Sequence, residues 1–379
     1  PDHVEHLLMT ETDRRDTRAS GRGGGRTGPW RVVLLVGIGT LLVATLWVGS
    51  EPAAQGGFVH KMTKITDTIY RADAAGAPGM NSTSWVFVND TDVLATDSEG
   101  SPAAAKSLVA GIATVTSKPL RYLVDTHFHF DHAYGNAGLP STVQVIGSDF
   151  TRRALLGPEA RQGITFKSFI DPMPGRDAQL RKQVAAETDP QRKAKLQAQL
   201  SAQEATTAVY QGDFPIQAPT LTVSTSTSIW SGGKEFRIMF VGRAHTAGDV
   251  VVYVPSERVV ATGDIVFKSI VGWQGDAFPN EHPATLEAVK KLDIEMLLPG
   301  HGDHVQGRAN VDTVLGNMQA YLREEWRQTA EAKQQGASPE DALKRLDLGK
   351  FRDVYGDGVT PNVAGIRRIY DLIDNRVAP

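Results

Sequence analysis

Apolar and polar positions divide the chain into two strand-rich blocks, with a helical stretch between them and another after them. Short apolar runs at 65–70, 84–88 and 93–96 are separated by turn residues at 76–79 and 89–90, which predicts an antiparallel beginning. Ser101-Pro102 predicts a helix to about residue 116, because Ser caps orphan N–H groups and Pro suits the first turn. Runs at 121–124 and 143–147 read as strands, and the second leads into a helix over 148–156. Between 174 and 209 the composition shifts to Gln, Lys, Arg, Ala and Glu. Asp189-Pro190 punctuates that stretch as cap and first turn. A helical hairpin is expected there, with Leu180, Val184, Leu196 and Leu200 as its apolar stripe. Strand patterns return at 221–225, 236–241, 250–254 and 259–262, with turns at Gly232-Gly233 and Pro255-Ser256. A helix from Pro283 to 292 and a strand at 296–298 follow. The tail is helical: one run over 311–334, a second capped by Ser338, and a third opened by Thr360-Pro361. Strands and helices in this order give an α/β class.

The N-terminus differs. Residues 1–31 are polar and glycine-rich, with arginines at 14, 15, 18, 22, 26 and 31, and are expected to be disordered. Residues 32–49 carry no charge and predict, over 32–50, a membrane anchor or the core of a signal peptide. Arginines before the run and Glu51 after it point the N-terminus into the cytoplasm. The rest is therefore expected to be exported: anchored and facing outward, or periplasmic or secreted if Val48-Gly49-Ser50 is cleaved. Met9 is an alternative start of translation.

Composition narrows the chemistry. With 41% hydrophobic and 22% charged residues the chain can bury a sizeable core. A net charge of -3 offers no basic face for nucleic acid. No cysteine is present, which removes disulfides, thiolate ligands and cysteine nucleophiles together.

What remains is a cluster at 126–136, Thr-His-Phe-His-Phe-Asp-His-Ala-Tyr-Gly-Asn, which places three histidines and an aspartate within six residues. Imidazole and carboxylate are ligand types that zinc and similar metals accept. In extended chain His127, His129 and Asp131 share a face while His132 points elsewhere, so one loop can serve two adjacent metals. Three further ligand-type residues follow apolar runs: His245 in Gly-Arg-Ala-His-Thr, Asp264 in Thr-Gly-Asp, and His301 in Pro-Gly-His-Gly. Strand ends are where loops gather residues around one cleft. Lys268, Arg243 and Tyr134 lie beside these positions and are candidates to meet a substrate anion. His282 and His304 fit no ligand position and are expected at the surface.

Together with Asp97, these landmarks resemble the metallo-β-lactamase-fold hydrolase superfamily. The resemblance covers about 61–308 and implies an αββα sandwich of two mixed sheets flanked by helices. It implies a domain over 58–310 with a helical insertion at about 174–209, followed by a helical extension over 311–379. It also implies that His127, His129 and His245 hold one metal, that Asp131, His132 and His301 hold the second, and that Asp264 bridges them. Two Zn2+ are the expected cofactors, with Fe or Mn also accommodated by such ligands. In that reading the metals generate a hydroxide, Asp131 is the catalytic carboxylate, and Asp97 steadies the ligand loop. Asp at 264, where familiar zinc β-lactamases carry Cys, resembles the glyoxalase II-like branch. His at 129, where di-iron oxygen reductases carry Glu, argues against those enzymes. No basic glutathione-binding signature appears in the tail. The expected activity is hydrolysis of an ester, thioester, lactone or amide in a small molecule. A β-lactamase and a metal-binding protein without turnover are the competing readings.

Overall fold

The computed structural model describes residues 59–74 and 79–377. The basic segment and the apolar run at 32–49 lie outside the described residues. Among the described residues no helix is long and apolar enough to cross a membrane.

Two sheets form the centre. The first has seven strands in sequence order: β1 Lys61–Lys64, β2 Ile69–Asp73, β3 Thr83–Val88, β4 Val93–Thr96, β5 Leu120–Val124, β6 Gln144–Ser148 and β7 Leu221–Val223. It is antiparallel from β1 to β4 and parallel from β4 to β7. The second comprises β8 Ser226–Ser231, β9 Lys234–Phe240, β10 Val250–Val254, β11 Val259–Gly263, β12 Met296–Pro299 and β13 Val305–Gln306. In it only β11 and β12 run parallel. Both sheets are therefore mixed.

Each sheet buries both faces. Ile69, Trp85, Phe87, Leu94, Val124 and Ile146 of the first sheet pack between the sheets against Phe236, Ile238, Val250, Val252 and Leu298 of the second. The outer face of the first meets α1, Pro102–Val115, through Leu108 and Ile112 against Val86, Ala95 and Leu123. Ser101 caps that helix by accepting from the Ala104 N–H, and Pro102 occupies its first turn. The cluster loop follows β5 and contains the short α2, Phe130–Ala133, and β6 leads into α3, Asp149–Leu156.

The inserted stretch holds α4 Glu159–Gln162, α5 Ile164–Ile170, α6 Met173–Ala186 and α7 Pro190–Gln211. Leu180, Val184, Leu196 and Leu200 are half-buried in the α6–α7 hairpin. The root of the hairpin is anchored: buried Met173 and Tyr210 join Phe130, Tyr134 and Phe166 in one aromatic cluster.

The outer face of the second sheet is covered by α8, His282–Lys290, and α9, Arg308–Gln334, through Leu286, Val289, Leu315 and Leu322. Then come α10 Pro339–Arg345, capped by Ser338, α11 Arg352–Tyr355 and α12 Val363–Ile373. The last helix starts two residues later than Thr360-Pro361 suggested, because Asn362 caps it by accepting from the Gly365 N–H. Helix, two sheets, helix: the architecture is the αββα sandwich.

Candidate metal centre

Every ligand-type residue singled out in the sequence sits just beyond the C-terminal end of a strand, and all seven meet at one edge of the sandwich. His127, His129, Asp131 and His132 follow β5, His245 follows β9, Asp264 follows β11 and His301 follows β12. Three groups of their donor atoms lie within 4.8 Å of one another: His127 with His129 and His245, His127 with His132 and Asp264, and Asp131 with His132 and His301.

Local backbone geometry holds the edge together. Gly263 adopts φ +51°, and a Cβ there would lie 2.3 Å from Thr126 Oγ1. Gly300 approaches so closely that a Cβ would fall 2.2 Å from Asp264 Oδ1. The loop carrying His301 is fixed from the first sheet, where Trp85 Nε1 donates to Pro299 O at 2.7 Å and Thr83 N to Gly300 O at 2.8 Å. The loop carrying His245 closes on Asp249, which accepts from Thr246 N and Oγ1, both at 2.7 Å.

The ring nitrogens facing away from the centre are engaged. Asp97, at φ +57°, accepts from Thr126 N at 2.8 Å, from Thr126 Oγ1 at 3.1 Å and from His132 Nδ1 at 2.9 Å. Thr126 Oγ1, its own proton given to Asp97, accepts from His127 Nδ1 at 3.1 Å. His129 donates Nε2–H to Asp276 at 3.2 Å. These bonds leave His127 Nε2, His129 Nδ1 and His132 Nε2 as lone pairs turned inward.

Inside, like faces like. His129 Nδ1 lies 3.0 Å from His245 Nε2, and His132 Nε2 lies 3.3 Å from His301 Nε2. His127 Nε2 and Asp264 Oδ1 are buried with no hydrogen-bond partner. Orphaned buried lone pairs are costly unless something positive meets them. Five imidazoles and two carboxylates arranged this way fit a pair of cations. Titration carries the same strain. Burial pushes His245 down to about 3 and holds His127 well below its usual range. Burial would lower His301 too, but Asp264 and Asp131 outweigh it and raise it to about 10. Burial would raise Asp131, yet His132 and His301 bring it to about 2.

Other sequence candidates fall elsewhere. Tyr134 is buried in the aromatic cluster with its hydroxyl on Ala160 O. Arg243 pairs with Glu281 and stacks on Phe278, so neither side chain is free for a substrate. His282 is not at the surface: it is buried and bonds Ile265 O through Nε2 at 2.7 Å. His304 is half-buried beside Trp85. Lys268 lines a groove with Ser269, Asp303 and His301. Sequence reasoning missed Asp276, whose carboxylate holds His129 and accepts from Thr165. Asp in a loop after Trp-Gln-Gly carries no local signal, and only the fold brings it to His129.

The profile of the Metallo-beta-lactamase superfamily matches residues 78–301. The chain is 23% identical over 263 residues to a linear primary-alkylsulfatase of a Pseudomonas species, covering 64% of this chain and 46% of that protein. It is 28% identical over 87 residues to a type 2 metallo-beta-lactamase of Elizabethkingia meningoseptica, 22% of this chain and 35% of that one. Its fold is similar to the solved structure of Pisa1, a stereoselective inverting sec-alkylsulfatase from Pseudomonas sp., with TM-score 0.62 and 14% identity, over 83% of this chain and 50% of that one. The chain thus spans about half the length of the alkylsulfatases it matches.

Proposed function

The chain belongs to the metallo-beta-lactamase superfamily, and from that premise we propose that it is a hydrolase that binds two metal ions, zinc by preference, and cleaves an ester, thioester, lactone or amide of a small molecule. One observation carries the reading: seven ligand-type side chains converge, with His127 Nε2 and Asp264 Oδ1 buried and without a hydrogen bond. In this assignment His127, His129 and His245 hold one ion, Asp131, His132 and His301 the other, and Asp264 lies between them. Bound metals would polarise the scissile group and lower the pKa of a water molecule. Asp131 stays a carboxylate at neutral pH and is the group placed to orient the attacking water and take its proton. Asp97, Thr126 and Asp276 hold the imidazoles so that their lone pairs stay aimed inward.

An aspartate at 264 supports the glyoxalase II-like branch over the zinc β-lactamases. Similarity to the alkylsulfatase over 64% of this chain favours a second reading within the same chemistry, in which the scissile group is a sulfate ester. The proposal includes export, because arginines crowd only the N-terminal flank of the apolar run at 32–49.

The test is metal analysis of the purified full chain, with hydrolysis measured on a panel of carboxylic, sulfate and β-lactam substrates. Two metals per chain and turnover of a carboxylic ester are expected. A folded, metal-replete protein with no bound ion overturns the reading. A reporter fused to the C-terminus tests export, and a signal only from a cytoplasm-dependent reporter overturns that part.

A further inference from the structure

We propose that the substrate half bound against the metal ligands is apolar and uncharged, no larger than a short alkyl chain or one aromatic ring. It would lie under a wall built by α5 and the 267–273 loop. This inference rests on the hydrolase reading for the identity of the site, and it concerns what the site accepts.

A cavity of about 190 Å³ opens directly on His129, Asp131, His245, Asp264 and His301. Apart from those ligands and Thr165 its wall is mainly apolar, with Phe130, Phe169, Phe267, Ile270 and Trp273 as the largest contributors. Among the described residues no Lys or Arg lines it. The two polar side chains in the wall are already engaged. Trp273 Nε1 donates to Thr165 Oγ1 at 2.8 Å, and the Thr165 hydroxyl donates to Asp276. A charged tail pushed into this space would lose its hydration and find no partner, whereas an apolar tail loses only unfavourable contact with water.

The wall is also preorganised. Phe169 meets the edge of Trp273 with ring centroids 4.9 Å apart and Phe130 at 5.8 Å, and Phe130 in turn packs on Tyr210 at 5.4 Å. The rings thus hold their positions without help from a ligand. Lys268 belongs to a different space. Lys268, with Ser269 and Asp303, lines a neighbouring groove that shares only Ile270 and His301 with the cavity. Ile270, 52% exposed, lines both, at the boundary between the cavity without a cation and the groove that carries one.

The experiment measures binding rather than turnover. Zinc-loaded full-length protein is titrated calorimetrically with acetohydroxamic acid, hexanohydroxamic acid and the adipic acid monohydroxamate. The last two share tail length and differ in ending on a methyl group or a carboxylate. Hexanohydroxamate should bind at least ~30-fold tighter than its carboxylate analogue, since an unpaired charge is buried in the latter. Ile270→Lys should shrink that ratio by at least ~10-fold, and Phe169→Ala should weaken hexanohydroxamate at least ~10-fold more than acetohydroxamate. Equal or tighter binding of the carboxylate analogue overturns the inference, as does a Phe169→Ala effect of equal size on all three. Tail preference without hydrolysis of any substrate would overturn the hydrolase reading alone.

Discussion

His127, His129 and His245 each have one ring nitrogen turned towards the other donors, and Asp264 faces three histidines with only its Oδ1 lacking a hydrogen bond. Asp264 is 95% buried; its Oδ1 lacks a hydrogen-bond partner and lies 3.5 Å from His132 Nε2, and its Oδ2 lies 3.5 Å from His245 Nε2 and 3.4 Å from His301 Nε2. If two dications flank it as proposed, no neutral residue could balance their charge there. Asp264→Ala should lose one metal and at least ~100-fold in rate, about 2.7 kcal/mol of transition-state stabilisation, with the fold intact. Both metals and near-normal turnover in that variant would reduce Asp264 to a strand cap. The seven converging residues were legible in sequence because histidines packed two apart and glycine-flanked residues at strand ends are conspicuous. Asp276 was not, since its role depends wholly on a contact across 147 residues. A second residue hidden from sequence is Glu325, fully buried on α9 with only Gln274 Nε2 bonded to it, at 2.9 Å. Burial raises its carboxyl to about 8 despite that bond. The folded state therefore keeps a proton that the unfolded chain releases above about 4.5, and stability falls as pH rises between those values, by at most about 5 kcal/mol. Glu325→Gln should flatten this decline in denaturant unfolding at pH 5 and pH 9. A variant with the wild-type slope would remove Glu325 from the account.

At the scale of elements, strands with apolar runs were plain and those without were not. β10 is fully buried and reads Val-Val-Val-Tyr-Val, whereas β8 reads Ser-Thr-Ser-Ile-Trp-Ser on a sheet edge, with Trp230 70% exposed. β1, Lys-Met-Thr-Lys, is likewise an edge strand with no fully buried residue. An edge strand answers to its single neighbour and to solvent, so its pattern carries little signal. The tail helices were expected, but what they do for the centre was not. Arg368 of α12 donates to Ala277 O at 2.8 Å and to Asp276 O at 3.3 Å. Its guanidinium and that of Arg243 both pack on Phe278, at 4.6 and 4.3 Å. Phe278 N donates to Ala244 O at 2.8 Å, next to His245. One loop thus braces His129 through Asp276 and His245 through Ala244, and the last helix grips that loop. Arg368→Ala should weaken the metal proposed for His127, His129 and His245 by about 10-fold while sparing the second proposed ion, the usual scale for outer partners of ligands. Competition with a chromogenic chelator reads the two affinities. A variant that is less stable yet binds both metals normally would confine Arg368 to packing.

For the molecule as a whole, the candidate metal centre joins the two sheets. The 127–132 ligands come from the first sheet, while His245, Asp264 and His301 come from the second. Ions bound across that edge would be held only in the folded state, so they would stabilise it by mass action, by about 4 kcal/mol when free metal exceeds its dissociation constant 1,000-fold. Chelation should lower Tm by about 5–10 °C for a domain of this size. Hydrogen exchange should rise first in 126–133, 263–265 and 300–302. The penalty also has a pH dependence with a definite sign. Without metal, Asp264 and Asp131 hold a proton on His301 up to about pH 10 against the effect of burial. That proton stabilises the metal-free fold fully below the unfolded value near 6.5, and the contribution is lost as pH rises towards 10. Metal takes over the proton's role, so the loaded protein escapes this decline. The gap in Tm between loaded and chelated protein should therefore widen from pH 6.5 to pH 9.5. A gap that narrows with pH, or a chelated protein as stable as the loaded one, would mean that the two sheets hold together without the ions and that the imidazole cluster is not their bridge.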